Sequence, residues 1–355
     1  MKILLFSNMY PTQDKPQFGI YVMNQVKALE EMGYEFKIIG LKSKGNKFLR
    51  YLSFSMKGLI YALIRGKEYH IVHAHYAFPP GWFAMMHQKR FGSKMIVTCH
   101  GSDIYKMPKK NRWVQGIIGK ILKSADKVIC VSTGLKDEIL KMYGIDHSKI
   151  NVVNMGINTD LFTKQNKDLT RTQLNLSLSA SIILFVGNFY KAKGILDLID
   201  AFQKMHCKDK LLILLGDMTV DAEVYAIIKK NHHHNIMILP PVQQQMVAKY
   251  MNAADVFVLP SYSEGMNLVT LEAMATETLV VVSDIEAFDY LTEDMVIKVQ
   301  VGNKENLTQG IEKALTLRRS TDYINNNRVI VNNNSIQQKS NEVSQIYEQL
   351  RGEYS

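Results

Sequence analysis

Short apolar runs alternate with helical patterns along the whole chain, and this alternation constrains the fold more than any other feature of the sequence. Strands that alternate with helices assemble into parallel sheets covered by helices. The pattern therefore predicts an α/β protein. The predicted strands are Ile3–Phe6, Phe36–Ile39, Ile71–Ala74, Met95–Cys99, Lys127–Val131, Ile150–Val153, Ile182–Val186, Leu211–Leu215, Ile236–Leu239, Val256–Leu259 and Leu279–Val282.

Both halves of this pattern are typical of Rossmann-like, doubly wound parallel sheets, and the length of the chain favours two domains. A chain of 355 residues is too long for one comfortable core. The stretch Asn154–Ser179 is polar and irregular, so we place the hinge there. We predict an N-terminal domain over 1–160, a second domain over 161–335 and a final helix over 336–355. Residues 325–334 are expected to form a polar turn before that helix.

Composition restricts the class of protein. Apolar residues make up 46% and charged residues 21% of the chain, which is ordinary for a globular protein. Cys99, Cys130 and Cys207 show no metal or redox spacing, which favours buried thiols in a reducing cytosol. No apolar run approaches the roughly 18–20 residues of a membrane span, and the first strand is too short for a signal peptide. We expect a cytoplasmic protein that is soluble or peripheral on the inner face of the cell membrane.

Charge is distributed unevenly between the two halves. Residues 1–155 contain 24 Lys and Arg against 10 Asp and Glu, a net charge of +14, whereas residues 156–355 contain 19 against 23, a net charge of −4. A strongly basic half indicates an anionic partner. The stretches Lys42–Lys67 and Lys106–Lys127 interleave basic and apolar residues, which favours an anionic membrane surface over solvated lysines on packed helices. No nucleic-acid-binding module is recognisable, so we expect no nucleic-acid partner.

The segment Ser261–Ala275 carries the strongest functional signal. A short apolar strand leads into Pro260 and a polar turn, after which a helical pattern opens near Met266. The N-terminus of a helix presents free N–H groups and partial positive charge, which suits a phosphate. A carboxylate beside such a site repels a phosphate, so Glu264 is interpreted as facing neutral hydroxyls or a developing cation. Glu272, further along the helix, is interpreted as accepting hydrogen bonds from a ribose. The combination indicates a nucleotide sugar.

The whole segment, Ser-x-x-Glu-Gly-x-x-Leu-Val-x-Leu-Glu-Ala-Met-Ala, resembles the signature of the retaining glycosyltransferases of family 4. The resemblance implies the GT-B fold, in which two Rossmann-like domains face each other across a cleft. It implies that Glu264 contacts the donor sugar and Glu272 its ribose. The second domain would hold the nucleotide sugar, the first the acceptor, and the final helix would pack back toward the first domain. The residues expected beside the diphosphate are Gly265, Met266, Asn267 and Leu268.

Two further turns of the second half resemble donor-binding turns of the family. Lys193 precedes a predicted helix, where its cation and the helix dipole together can neutralise a diphosphate leaving group. The family pattern has an arginine where this chain has Asn188, so one expected positive charge is missing. Lys191 is a candidate to supply that charge. The turn that ends in Val242 resembles the one that holds the base, and Val242 would pair with uracil through its main chain.

The first half contributes a glycine turn and a histidine. Gly19 lies at a strand-to-helix turn that resembles the family's loop near the donor diphosphate and the acceptor, where the family usually has a paired glycine. His100 follows a strand end and resembles the family's histidine that reaches the sugar. Asp103 is either a helix cap or an acceptor contact. His73 and His75 alternate along a strand and are expected to point to opposite faces, with His75 either lining the acceptor cleft or purely structural.

These features predict a retaining hexosyltransferase with His100, Lys193 and Glu264 as its candidate catalytic residues. It would move a hexosyl or N-acetylhexosaminyl unit from a UDP-linked sugar to a hydroxyl of a saccharide or lipid-linked saccharide in bacterial cell-surface polysaccharide synthesis. The resemblance implies that the donor's own phosphate oxygen acts as the base. Neither a cofactor nor a metal is expected, since Lys193 and the helix ends can stabilise the diphosphate charge.

Two alternatives stay open at this point. The first is a GT-B-fold nucleotide-sugar epimerase, which would convert the donor without any acceptor. The second is a non-catalytic protein that binds a nucleotide sugar as a partner of another enzyme, which the missing arginine at Asn188 makes conceivable. The presence of Glu264, Glu272, Lys193 and His100 together argues against the second.

Overall fold

The computed structural model describes residues 1–11, 18–41, 47–230, 235–265, 267–317 and 322–352. The chain forms two compact units. Unit 1 comprises Met1–Gly156 together with Ile336–Ser355, and unit 2 comprises Ile157–Ser335. Within the described ranges, every helix is too short or too polar to cross a bilayer.

The strands alternate with helices in both units. The strands are β1 Lys2–Ser7, β2 Glu35–Gly40, β3 Ile71–His75, β4 Lys94–Cys99, β5 Lys127–Cys130, β6 Ile150–Val152, β7 Ser181–Val186, β8 Lys210–Leu215, β9 Ile236–Leu239, β10 Val256–Leu259, β11 Leu279–Ser283 and β12 Ile297–Val299. The helices are α1 Ile20–Glu31, α2 Lys47–Leu63, α3 Pro80–Phe91, α4 Ser102–Tyr105, α5 Met107–Lys110, α6 Arg112–Ser124, α7 Thr133–Tyr143, α8 Lys167–Gln173, α9 Ile195–Lys204, α10 Ala222–Lys230, α11 Gln244–Ala253, α12 Leu268–Ala275, α13 Lys304–Leu317, α14 Asp322–Asn333 and α15 Ile336–Gly352.

Each unit is built on one parallel sheet. The strand order is β2-β1-β3-β4-β5-β6 in unit 1 and β12-β11-β10-β7-β8-β9 in unit 2. All neighbouring strands of both sheets run parallel. The prediction of two doubly wound sheets is thus confirmed. The direction of winding reverses between β1 and β3 and between β10 and β7, and such reversals are where sheets of this kind bind ligands.

Burial on both faces explains why the strands read as continuous apolar runs. Every residue of β10 and of β11 is buried, and β3 is buried throughout although it contains His73 and His75. β12 has three residues, two of them buried, and was not predicted.

The final helix, α15, belongs to unit 1 and packs against α1. Val343 and Tyr347 have no exposed surface and lie in one apolar cluster with Leu29 of α1. The hydroxyl of Tyr34 donates to the Glu348 carboxylate at 2.9 Å. These apolar and polar contacts hold helix α15 within unit 1.

Residues 325–333 belong to helix α14, so the polar turn expected over 325–334 was wrong. Asparagine is a weak helix former. The many asparagines of this segment therefore led to the prediction of a turn instead of a helix. Val331 is 8% exposed and Asn327 is 4% exposed, so one face of α14 is buried in unit 2. Packing of that face outweighs the low intrinsic propensity.

A buried ion pair holds the start of unit 2 against the strand before the candidate site. Arg171 Nη2 donates to Asp255 Oδ2 at 2.7 Å, and the two side chains are 3% and 4% exposed. Arg171 also donates to the carbonyl oxygens of Ala253 and Ala180. Asp255 in turn accepts the backbone N–H of Ile182 at 2.9 Å. The guanidinium and the carboxylate therefore satisfy each other and nearby backbone groups.

Candidate functional site

In the second sheet, the loops that follow β7 and β10 meet where the winding reverses. The backbone N–H of Tyr262 donates to the carbonyl oxygen of Ala192 at 2.8 Å. Gly194 has a left-handed backbone, with φ of +66°, and a Cβ atom there would lie 2.0 Å from the carbonyl oxygen of Pro260. Only glycine permits so close an approach. Gly194 therefore permits the close contact between the two loops.

This approach places Lys193 against Glu264. Lys193 Nζ donates to Glu264 Oε1 at 2.7 Å and to Oε2 at 2.6 Å. The hydroxyl of Ser261 donates to the same Oε1 at 2.5 Å. The Glu264 side chain is only 5% exposed, whereas that of Lys193 is 25% exposed. A buried carboxylate is tolerated when it is paired and hydrogen-bonded, and both conditions hold here.

Glu272 lies in the second turn of helix α12 and is partly buried. Burial raises the pKa of Glu272 to about 8. Among the described residues, none donates a hydrogen bond to this carboxyl or forms an ion pair with it. A carboxyl group without a cation or a donor of its own is suited to accept hydroxyl groups of a ligand. Within one short segment, the carboxylate of Glu264 is therefore paired with a cation, whereas burial raises the pKa of the Glu272 carboxyl.

The residues that open helix α12 were predicted to line a diphosphate. Met266 lies outside the described residues, Gly265 is exposed and Leu268 is partly buried. The side-chain oxygen of Asn267 accepts the backbone N–H of Thr270 at 3.2 Å and so caps the helix. The Asn267 side chain therefore serves the helix, and the groups suited to a phosphate are the other backbone N–H groups of the first turn.

The remaining predicted donor contacts lie in loops of unit 2. Asn188 is exposed just after β7. Lys191 Nζ lies 3.6 Å from Glu223 Oε1, and both side chains are largely exposed. Such a surface pair contributes little stability, so it does not commit Lys191 to Glu223. Val242 follows β9 and packs, partly buried, against the core of unit 2.

In unit 1, Gly19 makes the turn from the first loop into α1. Its φ is +73°, and a Cβ atom there would lie 2.5 Å from the carbonyl oxygen of Met9. Any other residue would force the loop away from the start of the helix. Residues 12–17 of this loop lie outside the described part of the chain.

His100 follows β4 and is positioned through Asp103. The carboxyl of Asp103 accepts the backbone N–H of His100 at 3.1 Å and that of Ala77 at 3.0 Å. Asp103 has no exposed surface, and burial raises its pKa to about 6 although these hydrogen bonds oppose the rise. Both carboxyl oxygens thus join the loops that follow β3 and β4. Burial lowers the pKa of His100 to about 3, so its imidazole is neutral at pH 7.

His73 and His75 do not point to opposite faces, so that expectation was wrong. Residues two apart on a strand share a face, and the two rings stack with centroids 4.6 Å apart. His75 Nδ1 lies 3.1 Å from His100 Nε2. In the described ranges, no group of three His, Cys, Asp or Glu side chains is arranged to hold a metal ion.

Sequence reasoning missed two neighbours of Glu264. Ser261 stands three residues before it, at the first position of the signature, and that spacing was a usable signal. Tyr290 lies in the loop between β11 and β12 and is 38% exposed. The partial burial of its hydroxyl and the negative charge of Glu264 raise the pKa of that hydroxyl. No local pattern marks Tyr290, because its proximity to Glu264 arises only from the fold.

Comparison with known proteins places both units in known families. The family described as Glycosyltransferase Family 4 matches residues 19–161, and the family described as Glycosyl transferases group 1 matches residues 180–316. The chain is 27% identical over 327 residues to the candidate teichuronic acid biosynthesis glycosyltransferase TuaC of Bacillus subtilis. The aligned region covers 80% of this chain and 81% of TuaC.

Solved structures show the same fold over nearly the whole chain. Sucrose-phosphate synthase from Thermosynechococcus elongatus superposes with a TM-score of 0.80 at 21% identity, covering 99% of both chains. Anabaena HepE in complex with UDP superposes with a TM-score of 0.77 at 15% identity, covering 98% of this chain and 100% of that one. The chain therefore belongs to the family 4, group 1 glycosyltransferases and has their GT-B fold.

Proposed function

We propose that this glycosyltransferase moves a hexosyl or N-acetylhexosaminyl unit from a UDP-linked sugar to a hydroxyl of a saccharide acceptor, with retention of anomeric configuration. The observation that carries the proposal is the Lys193–Glu264 pair, together with Glu272, with which no described residue forms an ion pair, in the loops and helix that follow β7 and β10. The cation of Lys193 suits the diphosphate of a nucleotide sugar, and the carboxylate of Glu264 suits the sugar. The carboxyl group of Glu272 suits the hydroxyl groups of the ribose.

The proposed roles follow from charge. The Lys193 cation and the N-terminus of α12 stabilise the negative charge that builds on the departing diphosphate. Glu264 faces the sugar, where a carboxylate stabilises a developing oxocarbenium ion. Glu272 accepts the ribose hydroxyls, and His100 of unit 1 contacts the sugar. Since the cation and the helix end act on the diphosphate together, the proposed reaction does not require a metal.

The base and the biological role rest on relatives. HepE was crystallised in complexes with UDP and with UDP-glucose, which supports a uridine nucleotide. The name of TuaC refers to teichuronic acid biosynthesis, which supports an acceptor in a cell-surface polysaccharide. TuaC is named as a glycosyltransferase and the Thermosynechococcus protein as a sucrose-phosphate synthase, so neither name supports an epimerase or a non-catalytic partner.

A donor screen tests the proposal directly. A nucleotide sugar that binds the folded protein raises its Tm by mass action, so UDP-sugars should stabilise the wild type more than ADP- or GDP-sugars do. The donor that binds is then incubated with the enzyme alone and with saccharide acceptors. A new glycoside formed only with acceptor supports transfer, whereas a new UDP-sugar formed without acceptor would establish the epimerase instead.

We further propose that unit 1 docks on an anionic membrane through helix α2. Phe54 and Ala62 are buried on one face of this helix, and a Cβ atom at Gly58 would lie 2.9 Å from the ring of Phe83. The other face is apolar as well but exposed, and includes Leu49 and Met56 at 60% and 56% exposure. An exposed apolar face, together with the net charge of +14 over residues 1–155, suits an anionic interface.

Helix α6 contributes less to this surface than its sequence suggested. Its apolar residues Ile118, Ile121 and Leu122 have no exposed surface, so they pack within unit 1. Only Trp113, at 68% exposure, extends the apolar surface among the large side chains of α6. Residues 42–46 of the first basic stretch lie outside the described residues. The membrane proposal therefore depends on α2.

Sedimentation with liposomes tests the docking. At low salt the protein should pellet with vesicles that contain anionic lipid. Each basic residue near the surface should contribute about 1 kcal/mol to the binding free energy, and the binding should be lost as salt rises. Replacing Leu49 and Met56 by serine should weaken it. Replacing Leu169 and Leu178 of unit 2, both 58% exposed, is the matched control and should not. Wild-type protein that stays in the supernatant would refute the docking.

A further inference from the structure

Three histidines of unit 1 form a continuous column, in which His73 and His75 are fully buried and His100 is partly buried. His73 Nδ1 lies 2.7 Å from the hydroxyl of Tyr347, and His73 Nε2 lies 2.8 Å from the hydroxyl of Thr98. His75 stacks on His73 and is hydrogen-bonded to His100. Both ring nitrogens of His73 are therefore satisfied by hydroxyls, which can donate or accept. The proton positions further along the column depend on His75.

The hydrogen bond between His75 and His100 couples the tautomers of the two rings. Burial lowers the pKa of both imidazoles well below 7, so each carries one ring proton. A neutral imidazole donates from one nitrogen and accepts at the other. If His75 Nδ1 donates, His100 must carry its proton on Nδ1. If His100 Nε2 donates, His75 must carry its proton on Nε2.

The environment of His75 Nε2 decides between these arrangements. This atom is fully buried, and no hydrogen-bond partner lies within reach of it among the described residues. A buried N–H group without an acceptor is strongly disfavoured, whereas a bare acceptor nitrogen is tolerated more readily. The proton of His75 is therefore on Nδ1, and Nε2 is the bare nitrogen.

We infer that His75 is a positioning residue that donates from Nδ1 to His100 Nε2 and thereby fixes the proton of His100 on Nδ1. His100 then presents an Nδ1–H donor to an oxygen atom of the ligand. The rings of Tyr76 and Tyr21, each with its centroid 5.2 Å from that of His100, hold the imidazole in place. The inference rests on the proposed function, in which this oxygen belongs to the donor sugar.

Nitrogen-15 NMR of histidine-labelled protein reads the tautomers directly. Protonated and bare ring nitrogens have well separated shifts, and single substitutions assign each ring. The ligand-free protein should show the proton on Nδ1 and a bare Nε2 in both His75 and His100. A proton on His100 Nε2 would overturn the inference. This reading does not depend on catalysis, so it stands even if no UDP-sugar proves to be a substrate.

Two variants of His75 separate positioning from packing. His75→Asn places an amide near the position of Nδ1, so it can still donate to His100, and it should keep the Nδ1 tautomer of His100 and most of kcat/KM. His75→Leu fills the space but cannot donate. It should leave His100 with mixed tautomers and lower kcat/KM by about tenfold, which corresponds to one hydrogen bond. Unchanged tautomers of His100 in the Leu variant would refute the positioning role.

His87 provides a matched control. It is also buried, and its nitrogens lie 2.6 Å from the hydroxyl of Ser93 and 3.1 Å from the carbonyl oxygen of Gly66. His87→Asn should lower the Tm without changing the tautomer of His100 or kcat/KM per folded molecule. If His87→Asn and His75→Leu lower kcat/KM equally, the effect of His75 is general destabilisation and the inference fails.

Discussion

Ionisation of Glu272 should make nucleotide binding tighter as the pH rises from 7 to 9. Burial raises the pKa of Glu272 to about 8, so in the free protein this carboxyl is mostly protonated at pH 7. Ribose hydroxyls donate hydrogen bonds, and an ionised carboxylate accepts them more strongly than a carboxylic acid does. Binding therefore selects the ionised form and releases a proton. The affinity should rise until the pH exceeds the pKa of the free protein and then level off.

The size of the effect follows from the ionised fraction. With a pKa near 8, about one tenth of the carboxyl is ionised at pH 7 and about nine tenths at pH 9. If only the ionised form binds ribose well, Kd should fall about tenfold over this range, or about 1.4 kcal/mol. Glu272 retains some exposed surface, and solvent there weakens the effect of burial. Tenfold is therefore the upper value.

Titration calorimetry with UDP measures both the affinity and the proton release. Runs at pH 7, 8 and 9 in two buffers of different ionisation enthalpy give the number of protons released per UDP bound. Glu272→Gln is the matched variant, because its amide oxygen still accepts a hydrogen bond but does not titrate. Protonation of the UDP phosphate affects both proteins equally. If wild type and variant share one pH dependence, Glu272 does not hold the ribose.

Three other changes test the remaining roles. Lys193→Ala should lower kcat by about 100-fold, with a smaller effect on donor affinity, because the leaving-group charge peaks in the transition state; steady-state kinetics that show a change only in KM would contradict this. Lys191→Ala should lower turnover, and Asn188→Arg should add little, if Lys191 supplies the missing charge. If nothing supplies it, Asn188→Arg should raise turnover, and insensitivity at both positions would mean that this loop does not contact the diphosphate. Asp255→Ala should lower the free energy of unfolding by about 3–5 kcal/mol, because it leaves the Arg171 guanidinium buried without its anion; an unchanged urea midpoint would show that the pair is not needed for stability.

The sheets were predictable because buried parallel strands appear in the sequence as continuous apolar runs. β7 and β8 were predicted within one residue of their observed ends, since apolar side chains on both faces give an uninterrupted run. The sequence of helix α14 shows no comparably clear pattern. Its stabilising contacts come from distant parts of unit 2, and its own residues have low helix propensity. Local pattern fails where tertiary packing, not composition, decides the structure.

The sequence indicated which loops lie at the carboxyl ends of the strands, but it did not indicate which of their side chains pair. Glycines and polar residues after apolar runs indicated which loops lie at the carboxyl ends of the strands. The contact between Lys193 and Glu264 needed the three-dimensional fold, since it joins loops that follow different strands. The stacking of His73 on His75 was missed for another reason. The two-residue period of a strand puts His73 and His75 on one face, and the opposite assumption separated side chains that the structure stacks together.

The two glutamates of the signature show why pairing decides chemistry. Glu264 lies in a loop that Lys193 can reach, so its negative charge is balanced by an ammonium group within hydrogen-bonding distance. Glu272 lies on helix α12, where no described residue offers a cation or a donor, so a proton neutralises it instead. A bound donor would change these situations in different ways. Its diphosphate would compete with Glu264 for Lys193, whereas its ribose would displace the proton of Glu272. The second exchange releases a proton, so the part of the proton release that Glu272→Gln abolishes is the signature of Glu272.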